Sequence, residues 1–103
     1  MEHYKFKFET DNFGKKHKPY SVVGVVASGN LEVLVESNNT ENETVFDIKT
    51  SAEGYQGTWK AVVNDIVSEH KTGGLNFFIN DGGAVPAVVS LRLKQALEEI
   101  DSN

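Results

Sequence analysis

A hydroxyl side chain lies at the centre of the first apolar hairpin in the sequence. The strand-forming runs VVGVV and LEVLVES flank the short segment Ala27-Ser28-Gly29-Asn30. A serine nucleophile needs a base positioned to take its proton, and Ser28 has none adjacent in sequence. A serine that another enzyme modifies needs only exposure and a small neighbour, which Gly29 provides. Ser28 is therefore either a plain turn residue, as Ser and Gly commonly are, or a site of covalent modification.

A second candidate is the glycine-rich turn Asp81-Gly82-Gly83, which precedes the last predicted helix. Free backbone N–H groups and the helix dipole favour an anion at such a turn. The surrounding sequence matches neither GxGxxG nor GxxxxGK[ST], and strand-to-helix turns need glycine for backbone reasons alone. The turn is therefore either structural or a contact for an anionic ligand or partner.

Metal binding and acid–base catalysis find no support in the remaining residues. His3, His17 and His70 have no i, i+4 spacing and form no HExxH-like cluster. The chain has no cysteine, which excludes thiolate nucleophiles, disulfides and cysteine-ligated metals. We therefore expect no catalytic residue and no metal site.

The elements that hold these candidates follow from hydrophobic periodicity. Alternating apolar residues predict strands, and an i, i+3, i+4, i+7 stripe predicts a helix. The predicted strands are 22–27, 31–37, 45–50 and 75–80, and the predicted helices are about 55–70 and 85–100. We expect the third strand to run antiparallel to the second, and a right-handed crossover to place both helices on one face. The predicted fold is α+β, a two-layer sandwich with a four-stranded mixed sheet and the order β-β-β-α-β-α.

Residues 1–20 are predicted to form an N-terminal arm, and residues 21–103 a single domain. Within the arm, YKFKFE alternates as a pairing or docking strand does, and TDNFGKKHKPY is typical of a linker. The arm is mildly basic and the body acidic. We hypothesise that the arm docks an acidic surface of a partner.

Charge and hydropathy restrict the class of partner. The net charge is -5, which argues against nucleic acid because phosphate backbones are bound by basic surfaces. No apolar run approaches the roughly 18 residues of a membrane span. The N-terminal segment MEHYKFKFET lacks the apolar core of a secretory signal, so we expect a cytoplasmic protein.

The hairpin and the C-terminal segment resemble one family. VGVVASGNLEVLVE, followed by NDGGAVPAVVSLRLKQALEEI, is similar to the acyl carrier (δ) subunit of bacterial malonate decarboxylase over most of residues 21–101. The acyl carrier subunit of citrate lyase is a more distant relative. The resemblance implies that the serine of the hairpin carries 2'-(5''-phosphoribosyl)-3'-dephospho-CoA through a phosphodiester. Ser28 matches that serine, with Gly29 and Asn30 as its neighbours in the attachment loop.

The resemblance also implies a function, a non-catalytic carrier subunit of a multi-subunit decarboxylase. The thiol of the attached arm would hold an acetyl group, exchange it for malonyl and receive acetyl back after decarboxylation. The implied partners are the acyl transferase and decarboxylase subunits of the same complex and the transferase that attaches the prosthetic group. The alternative is a small α+β ligand-binding or regulatory module with an anion site at Asp81-Gly82-Gly83.

Overall fold

The computed structural model describes residues 1–11, 19–38 and 42–101. These residues form a mixed sheet of five strands and two helices. The elements are β1 (Glu2–Glu9), β2 (Tyr20–Gly24), β3 (Leu31–Ser37), β4 (Glu43–Thr50), α1 (Gln56–Glu69), β5 (Leu75–Asp81) and α2 (Pro86–Asp101). The α+β class is confirmed, and the predicted four-stranded sheet is wrong by one strand. His17 and the lysines at 15, 16 and 18 lie outside the described residues.

The strands lie in the order β1-β4-β5-β3-β2. β4 and β5 are parallel, joined by the crossover through α1, whereas the other neighbouring pairs are antiparallel. The third predicted strand, now β4, does run antiparallel to β3. The two are not neighbours, however, because β5 lies between them.

The strand missing from the predicted sheet is β1. It pairs antiparallel with β4 along its whole length, from Glu2 opposite Thr50 to Glu9 opposite Glu43. Its aromatic side chains face the core, and the ring of Phe8 packs edge-on against another core ring. Alternation in YKFKFE predicts a strand but not its partner, which is about forty residues away in sequence. The role of this segment in docking a partner stays a prediction.

The core lies between the central strands and the two helices. The helices contact each other, and α2 also contacts β2 and β3, while α1 contacts β1. Neither helix is long and apolar enough to cross a membrane. The largest fully buried side chains are Phe46, Phe77, Leu31, Ile48, Ile66, Ile79, Leu93 and Ile100, and Trp59 is 5% exposed. Both predicted helices are confirmed, whereas the two-layer arrangement stays a prediction.

The sheet has two different ends. Because β4 and β5 are parallel and β3 runs against them, Thr50, Asp81 and Leu31 lie side by side. The loop 25–30 and the turns 51–55 and 82–85 therefore meet at one end, called here the Ser28 end. Residues 38, 42–43 and 72–74 meet at the opposite end. The candidate site residues predicted from sequence thus share one end of the sheet.

Candidate functional site

Ser28 is exposed in a tight turn of the loop 25–30. The amide of Asn30 donates to the carbonyl of Ala27 at 2.9 Å, which closes the turn around Ser28 and Gly29. Gly29 has φ +73°, a conformation that glycine adopts readily and other residues rarely do. A Cβ added to Gly29 would meet no atom within 4 Å. The turn therefore exposes Ser28, and the space beside Gly29 is open.

The loop is held against the turn that follows β5. The amide of Gly29 donates to the carbonyl of Gly82 at 2.9 Å, and the amide of Gly82 donates to the carbonyl of Asn30 at 2.8 Å. A Cβ on Gly82 would collide with the carbonyl group of Ala27. Glycine at this position is therefore required for the loop to lie so close. The two candidate segments that the sequence suggested separately, Ser28-Gly29-Asn30 and Asp81-Gly82-Gly83, form a single site.

Asp81 stabilises this site through hydrogen bonds of its side chain. Its side chain is buried, and its carboxylate accepts hydrogen bonds from the hydroxyl of Thr50 at 2.8 Å and the amide of Ala84 at 2.9 Å. Thr50 in turn accepts from the amide of Ala52 at 3.1 Å. Asp81 therefore joins the turn after β4 to the turn after β5. The anion contact suggested for Asp81-Gly82-Gly83 stays a prediction.

Arg92 is a site residue that the sequence analysis did not single out. Its Nε donates to the side-chain oxygen of Asn30 at 3.4 Å, and Asn30 also caps the amide of Leu31 at 2.8 Å. The stem of Arg92 passes the backbone of Gly24 so closely that a Cβ there would lie 3.2 Å from Arg92 Cδ. Arg92 is the only arginine in the sequence, and this is the one local signal that distinguishes it. It places a positive charge beside the Ser28 loop.

Apolar side chains around the loop are exposed. Val25 and Val26, immediately before the turn, are 55% and 53% exposed, and Val85 after Gly83 is 60% exposed. Grouped apolar exposure of this kind is common at surfaces that contact a partner.

No cluster of three or more metal-ligating side chains occurs in the described ranges. His3 lies on β1, with Nε2 at 2.5 Å from the carboxylate of Asp47 on β4. His70 follows the end of α1. The two histidines that the structure describes therefore lie on different elements, away from the Ser28 loop.

Comparison with known proteins places this fold and loop in one family. The profile of the malonate decarboxylase delta subunit (MdcD) matches residues 18–100. The chain is 54% identical over 83 residues to the malonate decarboxylase acyl carrier protein of Bradyrhizobium diazoefficiens, covering 81% of this chain and 79% of that one. It is 45% identical over 98 residues to the protein of that name from Xanthomonas axonopodis pv. citri, covering 95% and 93%.

A solved structure agrees with these relatives. The chain is similar to one in the crystal structure of a Pseudomonas malonate decarboxylase hetero-tetramer in complex with malonate, with a TM-score of 0.85 and 34% identity. The match covers 97% of this chain and 99% of that one, so it includes β1. The family resemblance found in the sequence is confirmed, and the chain belongs to the malonate decarboxylase delta subunit family.

Proposed function

We propose that this chain is the acyl carrier subunit of a malonate decarboxylase and that Ser28 carries 2'-(5''-phosphoribosyl)-3'-dephospho-CoA, linked through Oγ. The observation that carries the proposal is the exposure of Ser28 in a turn whose backbone forms two hydrogen bonds with Gly82. The names of the relatives, acyl carrier proteins of malonate decarboxylase, support the same role.

The residues around Ser28 fit such a group. Open space beside Gly29 leaves room for a bulky substituent and for the transferase that attaches it. The phosphodiester carries a negative charge. The guanidinium of Arg92, which donates to the side chain of Asn30, places a positive charge beside the loop. When bound, the prosthetic group supplies a thiol, and its thioester makes the carbon next to the carbonyl easier to deprotonate or decarboxylate.

The chain's own residues present the group rather than perform the chemistry. Ser28 supplies the hydroxyl, and the transferase supplies the base that removes its proton. Gly29 sets the turn, while Gly82 and Asp81 keep the loop in place relative to α2. These hydrogen bonds define where the tether begins. A short flexible tether holds its cargo at an effective concentration on the order of millimolar at each partner site.

The partners in this proposal are the attaching transferase and the acyl transferase and decarboxylase subunits of one complex. The similar Pseudomonas chain comes from a hetero-tetramer, which supports assembly with other subunits. Val25 and Val26 flank the attachment site and provide apolar surface for contact with these partners. Lys5 and Lys7 are exposed on the solvent face of β1, where Lys7 pairs with Glu43 at 2.8 Å, and they form the basic surface that we expect to meet an acidic partner. A cytoplasmic location stays a prediction.

The alternative, an anion-binding module, has less support. The amide of Gly82 already donates to Asn30, and the amide of Ala84 already donates to the carboxylate of Asp81. Two of the N–H groups that would hold an anion at this turn are therefore occupied. A buried carboxylate beside the turn would also repel a negatively charged ligand.

The test is the intact mass of the chain after co-expression with its attaching transferase. We expect the wild type and Ser51→Ala to gain the mass of one prosthetic group and Ser28→Ala to gain none. Ser51 is a matched control, since it is an exposed serine at the same end of the sheet. Ser28→Ala should change the free energy of unfolding by less than about 0.5 kcal/mol. An unmodified wild type, with a transferase that modifies a related carrier, would refute the proposal.

A further inference from the structure

A groove of about 370 Å³ lies between the first turns of α1 and α2, at the Ser28 end. Most of its lining side chains are apolar, among them Tyr55, Trp59, Val62, Val85, Pro86 and Val89. Its volume lies within the range of small-molecule sites, roughly 300–1,000 Å³, and the mixture of apolar walls with few polar groups is typical of them. The groove is therefore large enough to hold a flexible organic chain.

The groove begins next to the attachment loop. Gly83 lines the groove, and its neighbour Gly82 accepts the hydrogen bond from the amide of Gly29. The peptide unit between Ser28 and Gly29 lies on one side of this hydrogen bond, and the peptide unit between Gly82 and Gly83 lies on the other. The Cα atoms of Ser28 and Gly83 are therefore within about 8 Å of each other, from standard backbone dimensions. A chain attached to Ser28 has little distance to cover before it enters the groove.

We propose that this groove binds the thiol end of the prosthetic arm on the same chain, as the free thiol or the acetyl thioester, and rejects the malonyl thioester. This inference rests on the proposed function, since it requires an arm at Ser28. The occupant follows from proximity, because an arm tethered within about 8 Å has a high effective concentration at this groove. An unattached ligand has no such advantage.

The rejection of malonyl follows from the lining. Asp81 lines the groove and is 6% exposed, and the walls around it are mainly apolar. A malonyl carboxylate placed there would lose its water and face a like charge, and both effects are unfavourable. An acetyl group is neutral and small. The groove would therefore hold the arm between turnovers and leave the malonyl-loaded arm free to reach the decarboxylase subunit.

The first experiment uses the thiol of the arm as a reporter. The chain has no cysteine, so a thiol reagent labels only the prosthetic group of the loaded protein. Val85→Asp places a carboxylate at the groove, and Leu91→Asp places one at a site of similar exposure that does not line it. Val85 directly precedes Pro86, and its carbonyl accepts from the amides of Val88 and Val89. It is thus the N-cap of α2, where Asp is a favoured residue.

We expect the arm of the wild type and of Leu91→Asp to be labelled about tenfold more slowly than that of Val85→Asp, as for an arm that is bound about nine-tenths of the time. Intact mass is read first, on every variant. Equal labelling rates in three proteins that all carry the prosthetic group would overturn the groove proposal alone. An unmodified Ser28 would overturn the proposed function, and this inference with it.

The second experiment distinguishes acetyl from malonyl. Trp59 is the only tryptophan of the sequence, and it lines the groove. We expect its fluorescence and its indole N–H resonance to change between the unmodified and acetyl-loaded chain. The malonyl-loaded chain should resemble the unmodified one. An equal change with both acyl groups would overturn the proposed selectivity, and no change with either would overturn the groove as a binding site.

Discussion

At the opposite end of the sheet, buried side-chain hydrogen bonds add to the backbone ones, whereas the Ser28 loop is held to the turn after β5 through its backbone. At the opposite end the hydroxyls of Thr44 and Thr72 bond to each other at 2.9 Å, and both residues are buried. The side-chain amide of Asn38 donates to the side chain of Asn76 at 3.0 Å. At the Ser28 end, backbone groups of Gly29, Gly82 and Asn30 hold the loop.

This difference explains which end is available for function. Thr44 and Thr72 are fully buried as well as bonded to each other, so they contribute stability and offer no surface to a partner. The backbone bonds of the Ser28 loop do not involve the side chains of Ser28, Val25 and Val26, and these three residues are exposed. The cost of that arrangement is a strict need for glycine at 82.

The largest effect is expected for Gly82→Ala. The new methyl group would collide with the carbonyl of Ala27, so the loop must move away and lose both hydrogen bonds to residue 82. We expect a loss of about 3 kcal/mol in the free energy of unfolding, as for overpacking of a tight contact. Loading of Ser28 should fall strongly, because the turn loses its support. Urea unfolding and intact mass after a fixed reaction time measure the two effects.

The matched control for this change is Gly57→Ala. A methyl group at Gly57, in the first turn of α1, would meet no atom within 4 Å. Alanine is the better helix former, by up to about 1 kcal/mol, so the control should be neutral or more stable and should load normally. If Gly82→Ala behaved like this control, the loop would not depend on close contact with residue 82.

A second prediction concerns the opposite end. Thr44→Val or Thr72→Val alone should cost roughly 1–2 kcal/mol, since each leaves one buried hydroxyl without its partner. The double variant should recover most of that loss, because no unsatisfied group remains. Loading of Ser28 should be unchanged in all three. Additive losses, or a loading defect, would show that the two ends are not separate in function.

Local pattern was enough to predict the helices and the loop. The stripe through Trp59, Val63 and Ile66 predicts a helix over 55–70, and α1 spans Gln56–Glu69. The apolar runs on either side of Ser28 predict the two strands that flank the loop. The second matches β3, whereas the first was predicted over 22–27 and β2 spans Tyr20–Gly24, so residues 25–27 belong to the loop. Each of these features depends on residues that are close together in the sequence, so a single sequence is sufficient to detect it.

Pairing and tertiary contacts were not predictable in the same way. The insertion of β5 between β3 and β4 and the pairing of β1 with β4 depend on the contacts of whole elements. The proximity of Arg92 to Asn30 joins residues sixty-two positions apart, and Asp81 bonds to Thr50 across thirty-one. Neither contact has a local sequence signal, which is why the site appeared as separate candidates.

A third prediction concerns the charge beside the loop. Arg92→Gln removes the guanidinium that donates to Asn30 and should slow attachment of the prosthetic group about tenfold, equivalent to roughly 1.4 kcal/mol in the activation free energy. Stability should change by less than about 1 kcal/mol, as for other partly exposed polar contacts. Arg92→Lys should keep part of the rate. Initial rates of mass gain with purified transferase measure this effect, and equal rates for Gln and Lys would argue against a role for charge.

The smallest effect is expected at the edge of the sheet farthest from the loop, where β1 meets the turn after β4. The carboxylate of Glu2 accepts hydrogen bonds from the Tyr4 hydroxyl and, at 2.7 Å, from the amide of Gly54. These two bonds lower the pKa of Glu2 below its ordinary value of 4.5. The folded state therefore favours the ionised carboxylate. Its stabilising contribution is fully present above pH 4.5 and is lost as the pH falls through the lowered pKa.

Amide hydrogen exchange along β1 measures this contribution. Between pH 5 and pH 3, the protection of β1 relative to β3 should decrease in the wild type and in Glu98→Gln, a control on the distant part of α2. Glu2→Gln cannot ionise, so it should lack this part of the pH dependence and be less protected already at pH 5. Loading of Ser28 should be the same in all three, because β1 and β2 lie on opposite edges of the sheet. An identical loss of protection in Glu2→Gln would mean that another group controls the acid response of this edge.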